Sequence, residues 1–357
     1  MTKALLRTEI VRDTQRFAAL SKDWDALADH LGTPLACHAW YIAALAALQQ
    51  HKFELSVVLI WNDQLLVAAG PLMLDKMRSP ARLIPIDSFA GEPFLLLYRD
   101  SEALAALAHA CAGLNRPILL RRLQSSESDL ELLSATLRSK ALVYCKPRHV
   151  SAVAPLPIDF ETFEAAMSSS RRTSIRGKRR AAVRELGEVQ IEFVMPDPGS
   201  VDLHMARFKS VEGSGWKQRS GTALSTDPRM DSFISQLANV FARKEQLIIA
   251  YLTIGGRDAA CRLILCQQSS WFELKTGFDE QFGRFAPGIV LMHETLREAC
   301  RTSITKFEYL GVHEGWQDNW PRELTEDFRV ATYPFRPAGA LALAADGLQA
   351  LSSLSRR

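Results

Sequence analysis

The stretch at residues 271–300, WFELKTGFDEQFGRFAPGIVLMHETLREAC, decides the fold. Residues 271–278 read as a β-strand of apolar and aromatic residues. A polar loop follows, and Pro287-Gly288 opens a helix over residues 288–300, with Ile289, Met292 and Leu296 on one side. The first turn of a helix leaves backbone N–H groups unpaired, and the helix dipole favours an anion there. A glycine at that point lets a phosphate approach the backbone, and Arg284 just upstream adds positive charge. Arg284, Phe285, Ala286, Pro287, Gly288 and Ile289 thus form a candidate pyrophosphate cradle, although a plain turn before a helix has the same spacing.

Outward from this loop the pattern is alternating helix and strand. Residues 231–243 form a helix with Phe233, Leu237, Val240 and Phe241 on one face. Residues 247–254 and 258–266 read as two strands about the turn Gly255-Gly256, and residues 306–310 as a further strand. The first half has the same order. Helical patterns at 16–30 and 39–48 precede two apolar runs, 55–60 and 65–74, then a strand at 94–98. A helix at 101–113, a strand at 117–123 and a helix at 128–139 complete it. The repetition predicts an α/β fold with mixed sheets, made of two similar domains at residues 1–153 and 154–337. Residues 338–357 are an Ala- and Leu-rich helix and tail, expected to dock on the body rather than on a membrane. The boundary is set near Pro155 and Pro157, which interrupt regular structure.

Composition narrows the class. The chain has 357 residues, 47% hydrophobic and 23% charged, which suits a globular protein and excludes a disordered or collagen-like one. No apolar run approaches the roughly 20 residues of a membrane span, and the N-terminus lacks a signal-peptide apolar region. A cytoplasmic location is the expectation. Six scattered cysteines, without a C-x-x-C pair, read as reduced thiols and not as disulfides or a metal site. Net charge is only +3, yet residues 171–184 hold seven basic residues and no acidic one.

Three segments carry a family likeness: residues 212–224 (EGSGWKQRSGTAL), 275–280 (KTGFDE) and 285–288 (FAPG). With the order of elements, they resemble the GNAT acyltransferase superfamily. Within it they look like the two-domain CelD-like acetyltransferases associated with cellulose and exopolysaccharide synthesis, which are similar to FemXAB transferases. Trp24, Leu27, Thr33-Pro34 and Trp40 in the first half fit the same pattern. The resemblance implies two tandem GNAT-like domains and an acetyl-CoA or other acyl-CoA co-substrate. Its pyrophosphate would lie over Gly288 and its pantetheine beside the strand at 271–278. The sequence departs from the superfamily loop at Pro287, which lacks the N–H of the glycine usual there. The first half has no such loop and is assigned a scaffold or acceptor-binding role.

Acyl transfer needs a base for the acceptor's proton and a donor for the oxyanion. Strand alternation puts Glu273 and Lys275 on one face, as base and donor or as a solvated pair. Asp279 either orients Lys275 or caps the loop, and Glu212 is a second base candidate. Trp216 and Lys217 lie in a Gly- and Ser-rich loop suited to a sugar or acyl chain. Arg172, Arg176 and Arg179 can bind a phosphate-bearing acceptor, if they are not simply a solvated face. A tyrosine at Tyr309 can protonate a leaving thiolate or fill the core.

The reading is an acyltransferase moving an acyl group from acyl-CoA to an amine or hydroxyl of a cell-envelope or polysaccharide precursor. The acceptor is then a small molecule or a lipid- or sugar-linked one, in association with polysaccharide synthesis proteins. The alternatives are an aminoacyl-tRNA-dependent transferase or a catalytically silent binding subunit. Little aromatic interleaving in the basic run argues against nucleic acid.

Overall fold

In the computed structural model, which describes residues 6–48 and 52–354, the chain folds as two compact units. One comprises Met1–His149 and Glu326–Arg357, the other Val150–Thr325.

The first unit opens with β1 (Leu6–Val11), α1 (Thr14–Ala18), α2 (Ser21–Ala28) and α3 (His38–Ala46). Phe17, Trp24, Leu27 and Trp40 are fully buried, and the Trp24 indole N–H donates to the Ala36 carbonyl at 2.9 Å. The strands β2 (Phe53–Leu55), β3 (Val57–Asn62), β4 (Leu65–Gly70), β5 (Leu72–Asp75), β6 (Arg82–Pro85) and β7 (Leu97–Tyr98) follow. Then come α4 (Ser101–Gly113), β8 (Ile118–Leu123), α5 (Glu127–Arg138) and the long β9 (Ala141–Pro155). Asp100 and Ser126 cap α4 and α5 by accepting from the Ala103 and Asp129 N–H groups. One sheet has the order β1-β3-β4-β7.

The second unit begins with α6 (Phe160–Ala165), α7 (Ser169–Leu186), β10 (Val189–Val194), α8 (Val201–Glu212), α9 (Trp216–Ser220) and α10 (Pro228–Arg243). It continues through β11 (Leu247–Ile254), β12 (Arg257–Gln267), β13 (Ser270–Phe278), α11 (Pro287–Arg301) and β14 (Lys306–Glu308). Its sheet runs β10-β11-β12-β13-β14, and the last residues of β9 pair with β14. All neighbours are antiparallel except β13 and β14, which are parallel. Even-numbered residues of β11, such as Ala250 and Leu252, join Val290, Leu291 and Leu296 of α11 in one core. The opposite face meets α8, where Tyr251 Oη donates to the His204 carbonyl at 2.7 Å.

The chain then returns to the first unit as β15 (Glu323–Pro334) and α12 (Pro337–Leu354). β15 pairs with β8 through Val330↔Leu120 and Thr332↔Ile118, in the order β15-β8-β6-β5-β2. Arg82 of β6 donates to the Ala342 carbonyl and to Asp346 of α12. The sequence boundary ran the second domain on to residue 337. The break in the fold comes earlier, because β15 hydrogen-bonds into the first unit.

Candidate functional site

β13 is held along its length by β12 but meets β14 at only three positions, Ser270↔Lys306, Trp271↔Phe307 and Phe272↔Glu308. β14 then ends, so Glu273 to Phe278 have no strand partner on that side among the described residues. The two strands part beside the loop that leads into α11.

The spacing within β13 is interrupted there. Glu273 aligns with Ile264 and Lys275 with Leu263, so Leu274 is an extra residue in a β-bulge. Ile264 and Leu263 are neighbours on β12 and point to opposite faces. Glu273 therefore lies on the α11 face and Lys275 on the α8 face, which corrects the shared face that simple alternation predicts. Phe272, opposite Leu265, shares the α8 face, and its register partner Glu308 lies there too.

On the α11 face, Glu273 pairs with Arg262 of β12, both side chains being under 5% exposed. Arg262 Nη2 also donates to the Gly288 carbonyl at 2.8 Å, and the guanidinium lies 5.7 Å from the centroid of Trp316. Burial lowers the Arg262 pKa to about 10. Tyr309 follows β14 with a buried hydroxyl that has no hydrogen-bond partner among the described residues, and burial pushes its pKa up.

The cradle itself is a tight turn. Asp279 caps the 3₁₀ turn Glu280–Phe285 by accepting from the Gln281 N–H at 2.9 Å. Ala286 is left-handed, with φ 48°, and Pro287 takes the first helical position of α11. The Ile289 and Val290 N–H groups both point back to the Ala286 carbonyl at 3.0 Å. With no N–H on Pro287, Gly288 supplies the backbone donor at this terminus that has no partner among the described residues. Space is available: a Cβ at Gly288 would meet only Phe278, at 3.8 Å. Arg284 turns to Glu185 at 2.6 Å, and Lys178 of α7 donates to the Arg284 carbonyl.

On the α8 face, Glu212 ends α8 almost completely buried. It accepts from the Leu224 N–H at 3.0 Å and lies 3.3 Å from the Lys217 ammonium, which also donates to the Thr276 carbonyl of β13. Gly277 permits this approach, because a Cβ there would lie 2.5 Å from the Glu212 Cα. Lys275 and Glu308 have no hydrogen bond or ion pair among the described residues. Glu308 is half-buried, and that burial raises its carboxyl above the ordinary value, Lys306 opposing. Trp216 opens α9, but its side chain lies outside the described residues.

The three arginines of the basic helix expected to meet an acceptor already have partners within the protein. Arg172 caps α6 through the carbonyls of Glu164, Ala165 and Met167, Arg176 meets Glu164 at 2.7 Å, and Arg179 meets Glu294 at 3.1 Å.

Sequence reasoning did not single out Arg262 or Glu308. The signal for the first was a lone arginine inside the apolar run of residues 259–266, since a buried guanidinium needs a buried partner. For the second it was a lone acid between Phe307 and Tyr309.

Residues 169–318 match the profile of the acetyltransferase (GNAT) domain. No curated protein matches the sequence. Among solved structures, FemX superposes with a TM-score of 0.59 at 10% identity, over 92% of this chain and 97% of that one. The C-terminal domain of a putative lysylphosphatidylglycerol synthetase from Agrobacterium fabrum superposes with a TM-score of 0.53 at 11% identity, over 93% and 97%. A conserved protein of unknown function from Bacteroides thetaiotaomicron has a TM-score of 0.53 at 11% identity, over 91% and 99%. The chain thus shares the mixed α/β fold of these structures, and the match to the GNAT domain lies within its second unit.

Proposed function

We propose that the second unit transfers an acyl group from acyl-CoA, most simply acetyl-CoA, to an amine or hydroxyl of a cell-envelope or polysaccharide precursor. The observation that carries this reading is the parting of β13 from β14 directly beside the N-terminus of α11. That opening exposes a strand edge to which a pantetheine amide can hydrogen-bond, and it ends at an anion-favouring helix terminus. Gly288 N–H and the dipole of α11 would face the pyrophosphate, with Arg284 and Lys178 close by. Lys275, unpaired on the α8 face, would stabilise the oxyanion, and Glu308 on the same face would take the acceptor's proton. Glu212 and Lys217 would border the acceptor, while Glu273 would act through Arg262 to position the cradle.

Calorimetric titration with acetyl-CoA and longer acyl-CoAs tests the donor. Binding is expected for the wild type and at least a tenfold loss for Gly288→Glu, which puts a carboxylate where the pyrophosphate would sit. Absence of binding at millimolar ligand would overturn the reading.

A second reading, an aminoacyl-tRNA donor, is favoured by one observation. Pro287 and the inward-turned N–H groups of Ile289 and Val290 leave a sparse phosphate cradle. It predicts tRNA binding that falls steeply with salt, where acetyl-CoA binds not at all.

A further inference from the structure

Buried side-chain nitrogens and oxygens that lack a hydrogen-bond partner among the described residues gather at one place in the second unit. More than half of them belong to Arg262, Glu273, Tyr309, Trp320 and Arg322. Arg262 and Glu273 face each other as an ion pair. What remains is a set of donors: the Tyr309 hydroxyl, the Trp320 indole N–H, and the Nε–H groups of Arg262 and Arg322. Their side chains are neighbours. Trp316 makes T-shaped contacts with Tyr309, at 5.7 Å between centroids, and with Trp320, at 6.0 Å. The Arg262 guanidinium lies 5.7 Å from the same Trp316 centroid. Burial raises the Tyr309 pKa, and Arg262 and Arg322 both oppose that rise, so both charges act on its hydroxyl.

A buried donor without an acceptor costs free energy, and four in one cluster call for a ligand that brings acceptors. Indole and guanidinium N–H groups have no lone pair, so an ammonium cannot bond to them. One water has too few lone pairs for all four donors, whereas a carboxylate offers about four acceptor sites. The charge balance suits a single negative charge and not a phosphate dianion. Glu273 offsets Arg262, and Asp318, which also meets His313 at 2.9 Å, offsets Arg322.

Position selects the carboxylate. Tyr309 directly follows Glu308, the last residue of β14 paired with β13, and Tyr309 and Trp320 share one core with Val290 and Leu291 of α11. The cluster therefore stands where the two strands part, on the cradle's side of the sheet, while Lys275 and Glu308 stand on the α8 face. A carboxylate held there belongs to the acyl donor and not to the acceptor, and it lies a short chain from the reacting carbonyl.

We propose that Tyr309, Trp320, Arg322 and Arg262 hold a carboxylate at the far end of the transferred acyl group, so that the donor is the CoA thioester of a short dicarboxylic acid. This rests on the acyl-CoA reading of the opening and narrows its substrate.

Calorimetric titration of the full chain with malonyl-CoA and succinyl-CoA, against butyryl-CoA, tests it. One of the two dicarboxylic thioesters is expected to bind at least tenfold more tightly than butyryl-CoA. Tyr309→Phe, which keeps the ring and removes the hydroxyl, is expected to cut that preference several-fold, and Arg322→Met to cut it tenfold. The melting temperature of unliganded Tyr309→Phe is expected to match or exceed that of the wild type, since an unpaired buried hydroxyl is removed. Butyryl-CoA binding as tightly as both dicarboxylic thioesters would overturn this inference and leave the acyl-CoA reading standing. No binding of any of the three would overturn both. A preference that survives unchanged in Tyr309→Phe and Arg322→Met, or a Tyr309→Phe protein that melts lower and keeps the preference, would also overturn the inference.

Discussion

Arg262 donates to the carbonyl of Gly288 at 2.8 Å, so the first turn of α11 is tied to a guanidinium rooted in β12. The same guanidinium neutralises Glu273 on β13. Removing one member of a buried pair strands the other's charge, at a cost of about 3–5 kcal/mol, whereas replacing both with apolar groups costs far less. Arg262→Met is therefore expected to lower the urea midpoint sharply, and Arg262→Met with Glu273→Leu to recover most of the loss. The recovered double variant still lacks the tie to Gly288. Under the acyl-CoA reading its KM for the donor rises while its stability does not fall with it. Equal KM values in wild type and double variant would remove the positioning role.

Gly277 offers a separate check on how the α8 face is assembled. A methyl group there would enter the backbone of Glu212, which a side-chain rotation cannot relieve. Overpacking of this kind costs roughly 1–3 kcal/mol, and a shift of about 2–4 °C accompanies each kcal/mol in a unit of this size. Thermal unfolding of Gly277→Ala followed by circular dichroism should show a lower midpoint. An unchanged midpoint would mean that α8 can move away from β13.

How much of this was legible in the sequence varies by residue. The strand at Trp271, the helix after Pro287 and the loop between them were readable, because apolar periodicity and proline–glycine punctuation act locally. β15 was not, since its first four residues are all exposed, three of them polar, and its pairing with β8 is about 200 residues away in sequence. Lys275 went to the wrong face because a bulge at Leu274 shifts the two-residue period, and a single sequence does not display bulges. The basic run on α7 was visible as charge, but the partners of Arg176 and Arg179, Glu164 and Glu294, come from other helices.

Asp87 supplies a pH dependence in the first unit. It is fully buried, accepts from the Trp40 indole N–H at 2.8 Å, and burial lifts its pKa from 3.8 to about 7. The folded protein thus keeps a proton that the unfolded chain releases near the ordinary value. Its contribution to stability is complete below pH 3.8 and is lost as pH rises to about 7. That difference corresponds to about 4 kcal/mol as an upper bound. Asp87→Asn should flatten this part of the stability profile, so the melting-temperature difference from wild type should change between pH 4 and pH 8. A constant difference would show that Asp87 does not titrate in that window.

Glu308 decides whether the opening between β13 and β14 performs general-base chemistry. It stands at the last paired position of β14, on the face that also carries Lys275, and burial raises its carboxyl above the usual glutamate range. A base works only when deprotonated, so kcat/KM should rise with pH through this elevated value, leaving an acid limb above that of an ordinary glutamate. Glu308→Gln keeps the shape and removes the base; a loss of about 10²–10⁴-fold in kcat is expected, together with disappearance of the limb. Lys275→Met should lower kcat and leave the limb where it is, because an oxyanion donor stabilises charge without accepting the acceptor's proton. Were the limb to survive in Glu308→Gln, the base would lie elsewhere on the α8 face. Glu212, whose carboxylate already bonds to Lys217 and the Leu224 N–H, would then be next to test.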